Sequence, residues 1–96
     1  METLKRFDVV EHDNLAMVVI ESDLLPPDPA VVVIPLLPDY PVVNLLNPEI
    51  VIGERELILA TRLITAVRRN AVRKIGNVAA KGDEITRAVD ILMAGV

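Results

Sequence analysis

The sequence predicts a β-rich first half and a C-terminal α-helix, and three observations predict them. Short runs of valine, isoleucine and leucine fill the first half of the chain, and β-branched residues suit a pleated, half-buried surface. Seven prolines and four glycines break the chain between and after those runs, which keeps each of them at strand length. The last fourteen residues, Asp83 to Val96, place Ile85, Ala88, Val89 and Leu92 at i, i+3, i+4 and i+7, one apolar face of a helix.

Taken in order, Phe7 to Glu11 is read as a first strand, followed by a turn at Asp13-Asn14. Leu15 to Glu21 is apolar on both faces, as a central strand covered on two sides requires. Ser22 to Leu25 leads into Pro26-Pro27-Asp28-Pro29, where three prolines forbid regular ladder pairing and predict a rigid loop. Ala30 to Ile34 is the clearest strand, with Pro35 at its end. Pro38 to Pro41 makes a second rigid loop, and Val42 to Leu46 is read as a short extended piece. Glu49 to Ile52 is a strand entering a tight turn at Gly53-Glu54, a pair suited to a II′ hairpin.

The stretch from Glu54 to Ile75 has two readings. Leu57, Ala60, Ile64, Val67 and Ala71 recur at helical spacing among good helix formers, so pattern alone favours one amphipathic helix. The rival is a hairpin strand over Glu56 to Thr61 followed by irregular chain. Beyond the break at Gly76, Asn77 and Gly82, Asp83 is expected to cap the terminal helix and Gly95 to stop it. Ile91, Met93, Ala94 and Val96 do not all fit the buried stripe, so the helix tip is expected to stand apolar and available to a partner.

At 96 residues the chain is read as one domain, 1–96. Its apolar fraction of 52% and mean hydropathy of +0.45 are high for so short a soluble chain, which predicts burial between chains in a homodimer. No apolar run reaches membrane-spanning length and no secretory signal is visible, so no membrane partner is expected. The absence of cysteine removes disulfides and thiolate metal sites and fits a cytoplasmic location. A net charge of −4 argues against direct nucleic-acid binding by the whole protein. Arg68, Arg69, Arg73 and Lys74 form a local basic cluster, either a solvated face or the docking place of an acidic partner segment.

Catalytic signals are thin. His12 is the only histidine and is read as a surface residue beside a turn. The chain has no glycine-rich phosphate loop and no Gly-x-Ser-x-Gly elbow. Phe7 and Tyr40 are too few aromatics for a base-stacking platform. The residues therefore point to a binding protein rather than an enzyme, with neither cofactor nor metal.

Five segments in order, RFDVV, ESDLL, VVVIPLL, LNPEIVIGERELILAT and DEITRAVDILMAGV, give the chain a resemblance to the CcdB family, the gyrase-poisoning toxins of bacterial toxin–antitoxin modules. The resemblance spans nearly the whole length. It implies a mainly β fold, an SH3-like barrel with a small additional sheet and one C-terminal α-helix, assembled as a two-fold homodimer. It also implies that Glu56 to Thr61 is the second strand of the Gly53-Glu54 hairpin, with irregular chain and a short strand after Val67.

The same resemblance implies partners and site residues. Members insert their C-terminal ends against the DNA gyrase A subunit and trap the enzyme on cleaved DNA. The aliphatic pair that follows the family's Ser-Asp motif is Leu24 and Leu25 here, and Met93, Gly95 and Val96 occupy the contacting helix end. The family's tryptophan, phenylalanine and asparagine are replaced by Ala94, Met93 and Asp90. A cognate antitoxin is expected to wrap the dimer, with Arg68, Arg69 and Arg73 as candidate contacts, and to supply DNA binding when the complex represses its operon. Two alternatives stand beside this reading: a homologue that binds antitoxin but no longer poisons gyrase, and a MazF/Kid-like endoribonuclease.

Overall fold

In a computed structural model, described for residues 3–95, seven strands precede one α-helix in a single chain. They are β1 (Asp8–His12), β2 (Leu15–Val19), β3 (Ala30–Leu37), β4 (Glu49–Ile52), β5 (Arg55–Leu59), β6 (Thr65–Arg68) and β7 (Arg73–Asn77), followed by α1 (Gly82–Ala94). The strands form one antiparallel sheet in the order β4-β5-β3-β2-β1-β7, with β6 also on β3.

The long strand β3 sets the shape. One edge pairs with β2 from Val33 to Leu36, while the other is divided between two partners. Ala30 to Val33 pair with β6, and Leu36 and Leu37 pair with β5. Pro35 lies inside the strand, not at its end as expected. Its carbonyl accepts the Ala60 N–H at 2.9 Å, so its missing donor faces the same side, in the gap where β3 changes partners. The divided edge belongs to a sheet curled into an open half-barrel. The separate small sheet expected from the resemblance is absent among the described residues. The β4–β5 hairpin is hydrogen-bonded into the main sheet through Leu36↔Leu59 and Leu37↔Ile58.

Both tight turns have the backbone their residues favour. Asp13 and Asn14 adopt φ of 50° and 66°, the double positive φ of a I′ hairpin, closed by His12↔Leu15. Gly53 takes φ of 61° between Ile52 and Arg55, where glycine at the first central position meets the II′ requirement. Val42 to Leu46 is mostly a turn, with one bridge from Val43 to Asn47, rather than an extended piece.

The long amphipathic helix that pattern favours over Glu54–Ile75 does not form. That stretch holds β5, β6 and most of β7 with two short 3-10 turns between them. In it Leu57, Ile58, Leu59 and Ala60 are buried consecutively, which no single helix face allows and a strand covered on both faces does.

Two apolar clusters fill the two faces of the sheet. Val9, Ala16, Val18, Ile34, Leu36, Leu57 and Leu59 pack with Ile85 and Ala88 of α1 on one face. Val10, Met17, Val19, Val31 and Val33 form the other, covered by Leu4, Val67 and Val72. Alternation along each strand supplies both, which is why β2 and β3 read as continuous apolar runs.

Helix α1 begins one residue before the expected cap. Lys81 occupies the N-cap without a side-chain bond, and Asp83 lies in the first turn, where its charge suits the helix dipole. Gly95 ends the helix in the left-handed conformation, φ 69°, with its N–H on the Ile91 carbonyl. No helix among the described residues is long and apolar enough to cross a membrane.

Candidate functional site

The chain leaving β2 builds a turn that exposes two leucines. Glu21 Oε2 accepts the Val32 N–H at 2.9 Å, anchoring the turn to β3. Ser22 Oγ accepts the Leu24 N–H at 3.1 Å and the Ser22 carbonyl accepts the Leu25 N–H at 3.2 Å, a local side-chain-stabilised turn. Asp23 Oδ1 accepts the Arg6 backbone N–H at 2.7 Å. Each polar residue of Glu21-Ser22-Asp23 therefore fixes backbone, and the two residues that follow are left outside. Leu24 is 94% exposed and Leu25 56%. A leucine so exposed on a hydrogen-bonded turn is apolar surface held ready, since burying such a side chain yields about 1.5–3 kcal/mol.

Arg6 joins this turn to α1. While its backbone holds Asp23, its guanidinium Nη2 donates to Thr86 Oγ1 at 3.1 Å and lies 4.9 Å from the centroid of the Phe7 ring. Thr86, Asp90 and Met93 follow one another at i, i+4 and i+7, so the turn is tied to the helix flank that carries Asp90 and Met93. At the tip, Met93 is 75% exposed and Ala94 and Gly95 are exposed, whereas Ile91 and Leu92 are half-buried. Val96, also a candidate, lies outside the described residues.

Phe7 and Asp8 hold this corner together. Phe7 has φ of 71°, gives its N–H to the Val19 carbonyl, and rests its ring on Gly82. Asp8, 1% exposed, accepts from the Lys5 backbone N–H at 2.7 Å and from Asn77 Nδ2 at 2.9 Å, with Lys74 Nζ at 3.4 Å. Burial alone would push the Asp8 carboxyl upward. The bonds from Asn77, Lys5 and Lys74, with the lysine's charge, outweigh it and hold the group below the ordinary aspartate range.

The basic cluster of the sequence is dispersed in space. Arg69 is nearly buried, with Nη2 3.6 Å from Glu21 Oε1 and Nε donating to the Asp28 carbonyl at 2.6 Å, so it clamps the proline loop. Arg73 pairs with Glu11 at 3.0 Å. Arg68 is exposed and takes part in no ion pair among the described residues. Beneath the 22–27 turn, Leu4, Val19, Leu25, Val31, Glu21 and Arg69 line a groove of about 480 Å³. His12 is exposed beside the first hairpin, its Nδ1 2.8 Å from the Ala71 carbonyl.

Sequence reading named the leucines and the helix tip but missed Arg6, Thr86 and Glu21. Their roles rest on contacts between residues up to 80 positions apart, as in Arg6–Thr86, which local pattern does not carry. Ser22 was the one legible clue, because a Ser at the mouth of a loop favours a local side-chain-to-backbone turn, here the Leu24 N–H on Ser22 Oγ.

The family model described as CcdB protein matches residues 6–95, from Arg6 at the corner just described to Gly95 at the helix stop. Among individually curated proteins the chain finds no match. With the match covering nearly its whole length, the chain belongs to the CcdB family, the toxins of toxin–antitoxin modules.

Proposed function

We propose that this toxin binds the DNA gyrase A subunit through the Leu24-Leu25 turn and the tip of α1, and traps gyrase on cleaved DNA. It acts as a homodimer in the cytoplasm and is neutralised by a cognate antitoxin, with which it represses its own operon, the antitoxin supplying the DNA contact. The observation that carries the reading is Leu24: a 94% exposed leucine on a turn whose polar groups are all engaged in fixing it. The turn is linked by Arg6 to the helix whose end offers Met93. Leu24, Leu25, Met93, Gly95 and Val96 are the proposed gyrase contacts. Arg68 is the leading antitoxin contact of the three arginines, since Arg69 and Arg73 already face Glu21 and Glu11. The test is supercoiling by purified gyrase with increasing toxin. Inhibition that is relieved by the antitoxin supports the reading, and full supercoiling at saturating toxin contradicts it.

A second reading has its own observation. The exposed tip carries Met93 and Ala94, with no aromatic side chain to anchor it. Truncating a large interface anchor costs about 2–4 kcal/mol of binding, roughly thirtyfold to a thousandfold in affinity. On this reading the protein dimerises and binds antitoxin without poisoning gyrase. Met93→Phe combined with Ala94→Trp then creates inhibition in the same assay where the parent shows none.

A further inference from the structure

We infer that Arg6 is a third contact of the gyrase-facing surface, positioned to take a carboxylate from the partner between the Leu24-Leu25 turn and α1. This rests on the gyrase reading and names the chemistry that the partner must bring. Arg6 is adjacent to the turn through its own N–H on Asp23, and its guanidinium is set on the helix flank by Thr86 and laid near the Phe7 ring. A guanidinium held at two places loses less freedom when it meets a partner, and its remaining N–H groups form a fork that matches a carboxylate. Like Lys5, Arg55, Arg62, Arg68 and Arg87, Arg6 is in no ion pair among the described residues, and it differs from them in being bonded both to the turn and to α1.

The neighbouring surface favours a protein acid over a free anion. Leu24 and Leu25 directly follow Asp23, whose carboxylate holds the Arg6 N–H, so the cation and the exposed apolar pair belong to one corner of the surface. An arginine inside an apolar contact, shielded from water once the partner seats, is the kind of residue that dominates interface energetics. The charge also acts at a distance, by drawing an acidic patch toward the turn before contact.

The test measures binding of purified gyrase A subunit to the full chain and to the Arg6→Met, Arg6→Lys and Thr86→Val variants, at two salt concentrations. Thermal unfolding of each variant is followed alongside. Arg6→Met is expected to weaken binding roughly tenfold to a hundredfold and to flatten its salt dependence, while the unfolding midpoint stays near the parent's. Arg6→Lys keeps the charge without the fork and falls between parent and Arg6→Met. Thr86→Val frees the guanidinium without removing it and costs about threefold. Parent-like binding by Arg6→Met overturns the inference. So does a loss of affinity that merely tracks a fall in unfolding midpoint with the salt dependence unchanged. If the parent itself does not bind the subunit, the gyrase reading falls and takes this one with it.

Discussion

The Phe7 ring lies on Gly82 so closely that a β-carbon there would sit 2.8 Å from Phe7 Cε2. Glycine is thus required at the start of α1 for space, since Gly82 has an ordinary helical backbone, φ −55° and ψ −41°. The contact joins the N-terminal corner to the helix, the two parts that Arg6 also links. Gly82→Ala is expected to destabilise the protein by about 1–3 kcal/mol despite the better helix propensity of alanine. Thermal unfolding measures it. Adding Phe7→Leu, whose smaller side chain leaves room, should recover part of the loss, and a stabilised Gly82→Ala would show that the ring yields freely.

Asp8 gives a pH dependence with a definite sign. Its carboxyl is held below the ordinary range in the folded chain by Asn77, Lys5 and Lys74, so folding favours the charged form. The stabilisation is therefore complete above the unfolded-state value, near pH 4, and is lost as pH falls through the lower folded value. Urea unfolding from pH 7 to pH 2 should show this loss in the parent and less of it in Asp8→Asn. At pH 7 the same variant should be weaker by about 1.5–3 kcal/mol, because an amide cannot accept from all three donors as a carboxylate does.

The three arginines of the sequence cluster should separate by experiment. Arg69→Ala leaves Glu21 without its partner and the proline loop without its clamp, and should cost about 2 kcal/mol in stability while speeding proteolysis between Pro26 and Pro29. Arg68→Ala should change stability by no more than about 0.5 kcal/mol, as exposed substitutions usually do. Titration with antitoxin should nevertheless show weaker binding for Arg68→Ala. Unaltered binding would remove Arg68 from the antitoxin surface.

Most of the N-terminal half was legible because its elements are locally consistent. Asp13-Asn14 and, further along, Gly53-Glu54 join strand-forming runs, and Asp13, Asn14 and Gly53 take the positive φ values their hairpins require. Residues 54–75 were not legible by pattern. The helical recurrence of Leu57, Ala60, Ile64, Val67 and Ala71 is coincidental, since β3 offers one edge to both β5 and β6 and tertiary pairing overrides propensity. Family resemblance corrected the β5 hairpin, although it also suggested a separate small sheet that the Leu36↔Leu59 pairing joins to the rest. At the site, Leu24 and Leu25 could be named from sequence. The hydrogen bonds that present them, from Glu21 to Val32 and from Asp23 to Arg6, depend on the chain returning from elsewhere.

The most direct test of the account is covalent DNA cleavage by purified gyrase in the presence of this protein and its Leu24→Asp variant. The parent should accumulate gyrase-linked cleaved DNA, and Leu24→Asp should abolish it while folding as the parent does, because an exposed leucine contributes little to the fold. Equal accumulation with both proteins would contradict the proposed role of the Leu24-Leu25 turn, and no accumulation with the parent would contradict gyrase trapping itself.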